Sequence, residues 1–133
     1  VQDPSGTTQD PNVPKMTIAS QNGETVIIND FINNGTATAD VSNTGNYVLV
    51  NQITNYSVYY NGTPQSFNIV LVKEPIGEAR LAMERFMLTT LGISPQQLCS
   101  LNYRVGVTAY ISEQYTGKNL GFSFCPGATV LPQ

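Results

Sequence analysis

Residues 66–92 read SFNIVLVKEPIGEARLAMERFMLTTLG, and the character of the chain changes inside them. Phe67–Val72 is an apolar run of strand length. Beyond it, Ile76, Ala79, Met83, Phe86, Met87 and Leu91 recur at helical spacing, and Leu81 and Leu88 widen the apolar face. Glu74-Pro75 predicts the start, because proline at the first helical position forfeits no hydrogen bond. Glu78 in the first turn complements the helix dipole. Gly92 predicts a left-handed stop, with Ile93 making the accompanying apolar contact. Glu78, Arg80, Glu84 and Arg85 are expected largely off the apolar face. A helix this apolar must cover another layer.

Upstream, Lys15–Lys73 reads as β. Met16–Ser20 and Thr25–Ile32 flank Asn22-Gly23, a strong hairpin signal because both residues tolerate positive φ. Asn33-Asn34-Gly35 predicts a second turn, Thr36–Val41 a polar edge strand and Ser42–Asn46 a further turn. Tyr47–Val50 is a short strand. Tyr56–Tyr60 and Ser66–Lys73 flank Asn61-Gly62, which predicts a third hairpin. Downstream, Ser94-Pro95-Gln96-Gln97 has the form of a capping box opening a short helix, about Pro95 to Leu101. Tyr103–Ile111 alternates: Tyr103, Val105, Val107, Ala109 and Ile111 on one face, Arg104, Gly106, Thr108 and Tyr110 on the other. Glu113–Asn119 reads as a polar loop, and Leu120–Cys125 as a last strand stopped by Pro126-Gly127.

These elements predict an α+β fold: an antiparallel β-sheet of six to eight strands, with one long and one short helix packed on one face. The alternative is a β-sandwich with the helix capping one end. Residues 1–14, with Gln-Asp-Pro at 2–4 and 9–11, predict a flexible, Pro-rich tail or linker. Residues 15–127 form the single domain, and 128–133 a short C-terminal tail.

Composition bounds the chemistry. The 133 residues suit one domain. Charged residues make up 11 %, well under the average of about 25 %. Six bases against nine acids, net charge −3, argue against a nucleic-acid partner. Histidine is absent, which excludes imidazole-based nucleophilic catalysis and imidazole metal ligation. No apolar run approaches the roughly 20 residues of a membrane span. The 13 Asn and the combined 23 Ser and Thr fit a secreted setting, extracellular or periplasmic. The chain starts at Val1, as either a cleaved leader or a trimmed terminus would leave it.

Cys99 and Cys125 allow one pairing: a disulfide in an oxidising compartment, two buried thiols otherwise. A bond closing this loop of about 27 residues is worth about 3.5 kcal/mol on chain entropy. A metal site is not expected from two cysteines without histidine, and no cofactor is implied. Sequons at Asn34, Asn55 and Asn61 occur about as often as chance predicts. Glu24, Asp30, Asp40, Glu74 and Glu113 are scattered, with no spacing that pairs two carboxylates in a cleft. No calcium loop or phosphate loop is present. Met16, Met83 and Met87 are expected in the core. Tyr56, Val58 and Tyr60 share one strand face, with Tyr59 on the other. Arg104, Thr108 and Tyr110 make the candidate contact face, with Gly106 leaving room for a flat approach; an ordinary half-exposed sheet face is the competing reading.

The expected function is therefore a non-enzymatic binding module, secreted or at the cell surface and tethered by its N-terminal tail. Its partner would be a protein or glycan there, or another copy of itself. The alternative is an extracellular structural subunit that self-assembles by strand addition along Thr36–Val41 or through the tail. A carboxylate-dependent hydrolase is a third and weaker reading.

The run Leu91-Gly92-Ile93-Ser94, then Cys99, then Asn119-Leu120-Gly121-Phe122-Ser123-Phe124-Cys125-Pro126-Gly127 resembles a C-terminal pattern of small, uncharacterised secreted or surface proteins of uncultivated bacteria. The likeness covers less than half of the chain. It implies a bacterial extracytoplasmic setting and a paired Cys99 and Cys125, and it transfers no catalytic residue.

Overall fold

A computed structural model describes residues 13–40, 45–51 and 55–132 of the chain. Residues 1–12 of the tail expected over 1–14, Val41, residues 42–44 of the expected turn and Gln133 lie outside the described residues. The first hairpin joins β1 (Lys15–Ala19) to β2 (Thr25–Asn29), an antiparallel pair with Lys15 opposite Asn29 and Ala19 opposite Thr25. Its turn is the predicted one. Gly23 adopts φ +84° and its N–H reaches the Ser20 carbonyl, while the Asn22 side chain accepts from the Glu24 N–H and the Ser20 hydroxyl. Outside the hairpin, the Pro14 carbonyl already accepts from the Asp30 N–H.

The second sheet has five strands in the order β3-β4-β5-β6-β7. They are β3 (Thr38–Ala39), β4 (Asn46–Val50), β5 (Tyr56–Gly62), β6 (Gln65–Leu71) and β7 (Tyr103–Val107). All neighbours are antiparallel except β6 and β7, which run parallel. The connection between those two carries α1 (Ile76–Leu91) and α2 (Pro95–Ser100). The fold is therefore α+β, with seven strands split between two sheets.

Five local expectations need correction. The β5–β6 hairpin exists, but Asn61 and Gly62 belong to β5, opposite Ser66 and Gln65, and the chain reverses at Thr63-Pro64. Gly62 serves a close approach instead: its N–H meets the Gly45 carbonyl, and a β-carbon there would lie 2.5 Å from that oxygen. Pro75 sits one residue before the helix, in extended conformation. β7 stops at Val107, and residues 108–111 turn, with the Ile111 and Ser112 N–H groups donating to the Thr108 carbonyl. Leu120–Cys125 is not a strand. Asn119 uses its side chain as a substitute for strand backbone along β7, accepting from the Val105 N–H and donating to the Tyr103 carbonyl. The Leu120 N–H then reaches the Val105 carbonyl, and Gly121 at φ +73° takes the chain away from the sheet. Finally, residues 128–132 are docked: Leu131 is buried, and the Pro132 carbonyl accepts from the Gly77 N–H in the first turn of α1. That contact occupies one of the donors that every helix start leaves open.

The predicted stop of α1 and start of α2 hold. Gly92 takes a left-handed conformation with its N–H on the Leu88 carbonyl, and Ser94 and Gln97 complete the capping box of α2. Gly92 is doubly constrained, since a β-carbon there would lie 2.6 Å from the Asn29 amide nitrogen. That same amide donates to the Thr90 carbonyl and so ties β2 to the end of α1.

α1 packs against β2, β5 and β6. Ile76, Ala79, Met83, Met87 and Leu91 are buried, against a layer that includes Ile28, Val58, Phe67, Ile69 and Leu71. Phe31, Tyr60 and Phe67 form an aromatic cluster with ring centroids 5.0–5.8 Å apart. Phe86 is only half-buried, against Tyr56. The buried stripe of α1 is rotated towards Arg80 and Glu84, which retain only 5 % and 4 % of their accessible surface. Both were expected off this face. Cys99 and Cys125 are joined in a disulfide with Cα atoms 5.6 Å apart, which clamps α2 to the C-terminal segment.

Candidate functional site

The pleat of the five-stranded sheet sorts its side chains. Tyr56, Val58 and Tyr60 of β5, Phe67, Ile69 and Leu71 of β6, and Val105 and Val107 of β7 face the core. Their neighbours must then face the other way. Register aligns Tyr59 with Asn68 and Asn68 with Arg104, so these three form a row across the outer face. Gly106 follows on β7 without a side chain, and the nearest heavy atom to its absent β-carbon is Arg104 Nε, at 3.9 Å. The Arg104 side chain thus lies down along the sheet.

Beside the row, an open groove of about 390 Å³ runs along the end of the sheet. Gln21 comes from the β1–β2 turn, Asn61 and Ser66 from the β5–β6 hairpin, and Asn102, Tyr103 and Arg104 from the start of β7; Phe67 and Asn68 of β6 complete the lining. A second groove of about 400 Å³ shares Gln21 and Tyr103 and continues over α2 and the disulfide to Pro126. Backbone hydrogen bonds hold these parts together. The Gln21 N–H donates to the Ser100 carbonyl, its side-chain amide to the Leu101 carbonyl, and the Phe67 N–H to the Asn102 carbonyl. Gln65 bridges the hairpins by accepting from the Ala19 N–H. Tyr103 packs against the buried Phe122 with ring centroids 4.4 Å apart and ring planes tilted by 41°, and burial raises its phenol above the ordinary value, so it stays a neutral donor and acceptor.

What the fold uses and what it leaves differ sharply. The side chains of Asn61, Ser66, Asn68 and Arg104 make no hydrogen bond or ion pair among the described residues. Neither groove is lined by a carboxylate. Asp30, one of the acids weighed from sequence, is committed elsewhere. Burial raises its carboxyl, but the bonds from Asn33 and from the Ile32 N–H outweigh this and hold it below the ordinary value. Glu24, Glu74 and Glu113 are exposed. Among the described residues no three His, Cys, Asp or Glu gather closely enough to hold a metal ion.

Of the contact face expected from sequence, Arg104 lies on the sheet, whereas Thr108 and Tyr110 lie beyond its end. Tyr110 is 93 % exposed on the turn that follows β7. Alternation grouped the three residues, and the strand ends before the alternation can act on the last two. Gln21, Asn61, Asn102 and Tyr103 were not singled out as site residues, because only long-range packing unites them; the high asparagine content was the available signal. Of the sequons, Asn34 is exposed in a turn where its side chain accepts from the Thr36 N–H, Asn55 is half-buried, and Asn61 sits in the groove.

No family model matches the chain, and neither a curated protein nor a solved structure matches it at a significant level.

Proposed function

We propose that the protein is a non-enzymatic binding module that works outside the cytoplasm and takes a hydroxyl-rich ligand, a glycan, in the groove beside the Tyr59–Asn68–Arg104 row. One observation carries this reading: the amides of Asn61 and Asn68 and the hydroxyl of Ser66 line one groove and have no hydrogen-bond partner among the described residues. Each amide offers a donor and an acceptor side by side, which matches a sugar hydroxyl that both gives and receives. Small apolar ligands favour enclosed, mostly apolar cavities; this groove is open, and most of its lining side chains carry a polar group. Net gains of about 0.5–1.5 kcal/mol per hydrogen bond, over a few bonds, put the affinity near about 1 mM for a short oligosaccharide.

The setting agrees. The disulfide suits a non-reducing compartment, and among the described residues no helix is long and apolar enough to cross a membrane. Secretion is the natural extension of both. A second reading, self-assembly, draws on β3, whose two residues are both exposed at the end of the sheet. Sedimentation velocity over a range of protein concentrations separates the two.

The direct test is a ¹H–¹⁵N titration with a panel of neutral and uronic-acid oligosaccharides. The side-chain amides of Gln21, Asn61, Asn68 and Asn102 should shift together. A panel that moves none of them, or moves only residues elsewhere, overturns the assignment.

A further inference from the structure

Resting on the glycan reading, we infer that the preferred ligand is an acidic sugar, and that Arg104 selects it by pairing with a singly charged oxyanion on the ring, a uronate carboxylate or a sulfate ester. The charge pattern of the groove is the first argument. The chain carries nine acids against six bases, yet the charged lining of this groove is one cation and no anion. A chain of net charge −3 would not draw an anion over long range, so the attraction has to be local and specified by geometry.

Arg104 supplies that geometry. It lies opposite Asn68 in the β6–β7 register, and its Nε lies 3.9 Å from the β-carbon position of Gly106. Arg104 is exposed beside a residue without a side chain, which leaves room for a ligand to reach its guanidinium, and a planar fork loses less freedom per hydrogen bond than a flexible ammonium does. Its planar fork then meets a planar or tetrahedral oxyanion through two parallel hydrogen bonds. Asn68 and Ser66 sit within the same lining to take the neighbouring ring hydroxyls, and Tyr103 contributes an uncharged phenol. The only ion pair among the described residues is Arg80–Glu84, so no protein carboxylate competes for Arg104 there.

The test uses matched pairs. Oligogalacturonate, alginate and hyaluronan oligomers are titrated beside the same oligomers with their carboxyl groups reduced to alcohols. A sulfated galactan oligomer is titrated beside its desulfated form. Affinities come from the ¹H–¹⁵N shifts and from calorimetry. At least one acidic oligomer should bind roughly ten- to hundredfold more tightly than its neutral partner, the range expected for charge-assisted bonds. The arm that shows the preference identifies carboxylate or sulfate. Arg104→Ala should collapse that ratio to about one, and Arg104→Lys, which keeps the charge but not the fork, should restore only part of it. Arg85→Ala removes an exposed cation from α1 and should leave the ratio intact.

Equal binding of acidic and neutral oligomers overturns this inference and spares the glycan reading. A preference that survives Arg104→Ala overturns Arg104 as the selector. Binding of none of the oligomers overturns both.

Discussion

Arg80 and Arg104 carry the same side chain into opposite settings. Arg80 lies on α1 under the C-terminal segment, 5 % exposed. Its Nη1 donates to the carbonyls of Leu120 at 3.2 Å and Gly121 at 3.4 Å, and Glu84 stands one helical turn away with an N–O separation of 3.9 Å. Glu84 accepts in turn from the backbone N–H and the hydroxyl of Ser123. Burial lowers the Arg80 guanidinium below its ordinary value, and the neighbouring Glu84 offsets this only in part. Arg104 lies on the outer sheet face and meets none of this. The pair on α1 is consumed by folding, since it stands in for the strand pairing that residues 120–125 lack. The arginine on β7 is left over. Polar groups that the fold consumes should be felt as stability, and groups that it leaves should be felt as binding.

The largest effect should come from breaking the buried pair. Glu84→Ala leaves the Arg80 charge desolvated and the Ser123 N–H unmatched, which should cost about 3–5 kcal/mol in urea unfolding. The double change Arg80→Met with Glu84→Leu removes both charges and should cost much less than the single one. A Glu84→Ala loss below about 1 kcal/mol would mean that the pair is not what holds the segment.

The disulfide comes next. It spans a separation of 26 residues, for which the chain-entropy model gives about 3.5 kcal/mol. Reduction should lower the melting temperature accordingly, and the bonded chain should be two hydrogens lighter by intact mass. Glu84 holds Ser123 while Cys99 holds Cys125, so both act on one segment. Reduction of the Glu84→Ala variant should therefore cost less than the sum of the two changes; strict additivity would mean that the contacts work independently.

A smaller contrast lies along α1. Met83 is fully buried and Phe86 only half-buried. Met83→Ala should cost about 2–5 kcal/mol, as deletions in a closed core do. Phe86→Ala should cost less, about 1–2 kcal/mol, because part of its ring is already in water. The reverse order would mean that the helix is rotated from the position described. Arg85→Ala, on the exposed side, should stay within about 0.5 kcal/mol.

Much of the fold could be read from the chain because its signals are local. Gly92 stops α1 through its own backbone preference, and Ser94 with Gln97 caps α2 over four consecutive residues. Asn22-Gly23 makes its turn in the same way. The failures share a different cause. Gly62 is a glycine because Gly45, in the turn before β4, approaches it, and nothing beside it in sequence says so. Leu120 and Phe122 keep the period-two burial of a strand, but a strand needs a backbone partner, and the Asn119 side chain has taken those places on β7. The Arg80–Glu84 burial was visible only as an i, i+4 spacing, which suits a solvated face equally well. The groove was the least legible part. Arg104 could be singled out from alternation, whereas Gln21, Asn61 and Asn102 gather only when three distant turns meet.

The smallest expected effect is also the sharpest test of the division between consumed and leftover polar groups. Asn68→Ala and Arg104→Ala remove side chains that contribute no hydrogen bond or ion pair to the described structure. Surface changes of this kind usually fall within about 0.5 kcal/mol. Asn68 is a poor strand former, so Asn68→Ala can even be slightly stabilising at its site on β6. Both variants should melt with the parent while losing oligosaccharide binding. A loss of more than about 1 kcal/mol in either would mean that the outer face is already engaged by the protein itself. Residues placed there would then belong with Arg80 and Glu84, as parts of the fold, and the groove would have nothing free to offer a ligand. Unchanged stability together with lost binding is the outcome that separates the two arginines by function as well as by position.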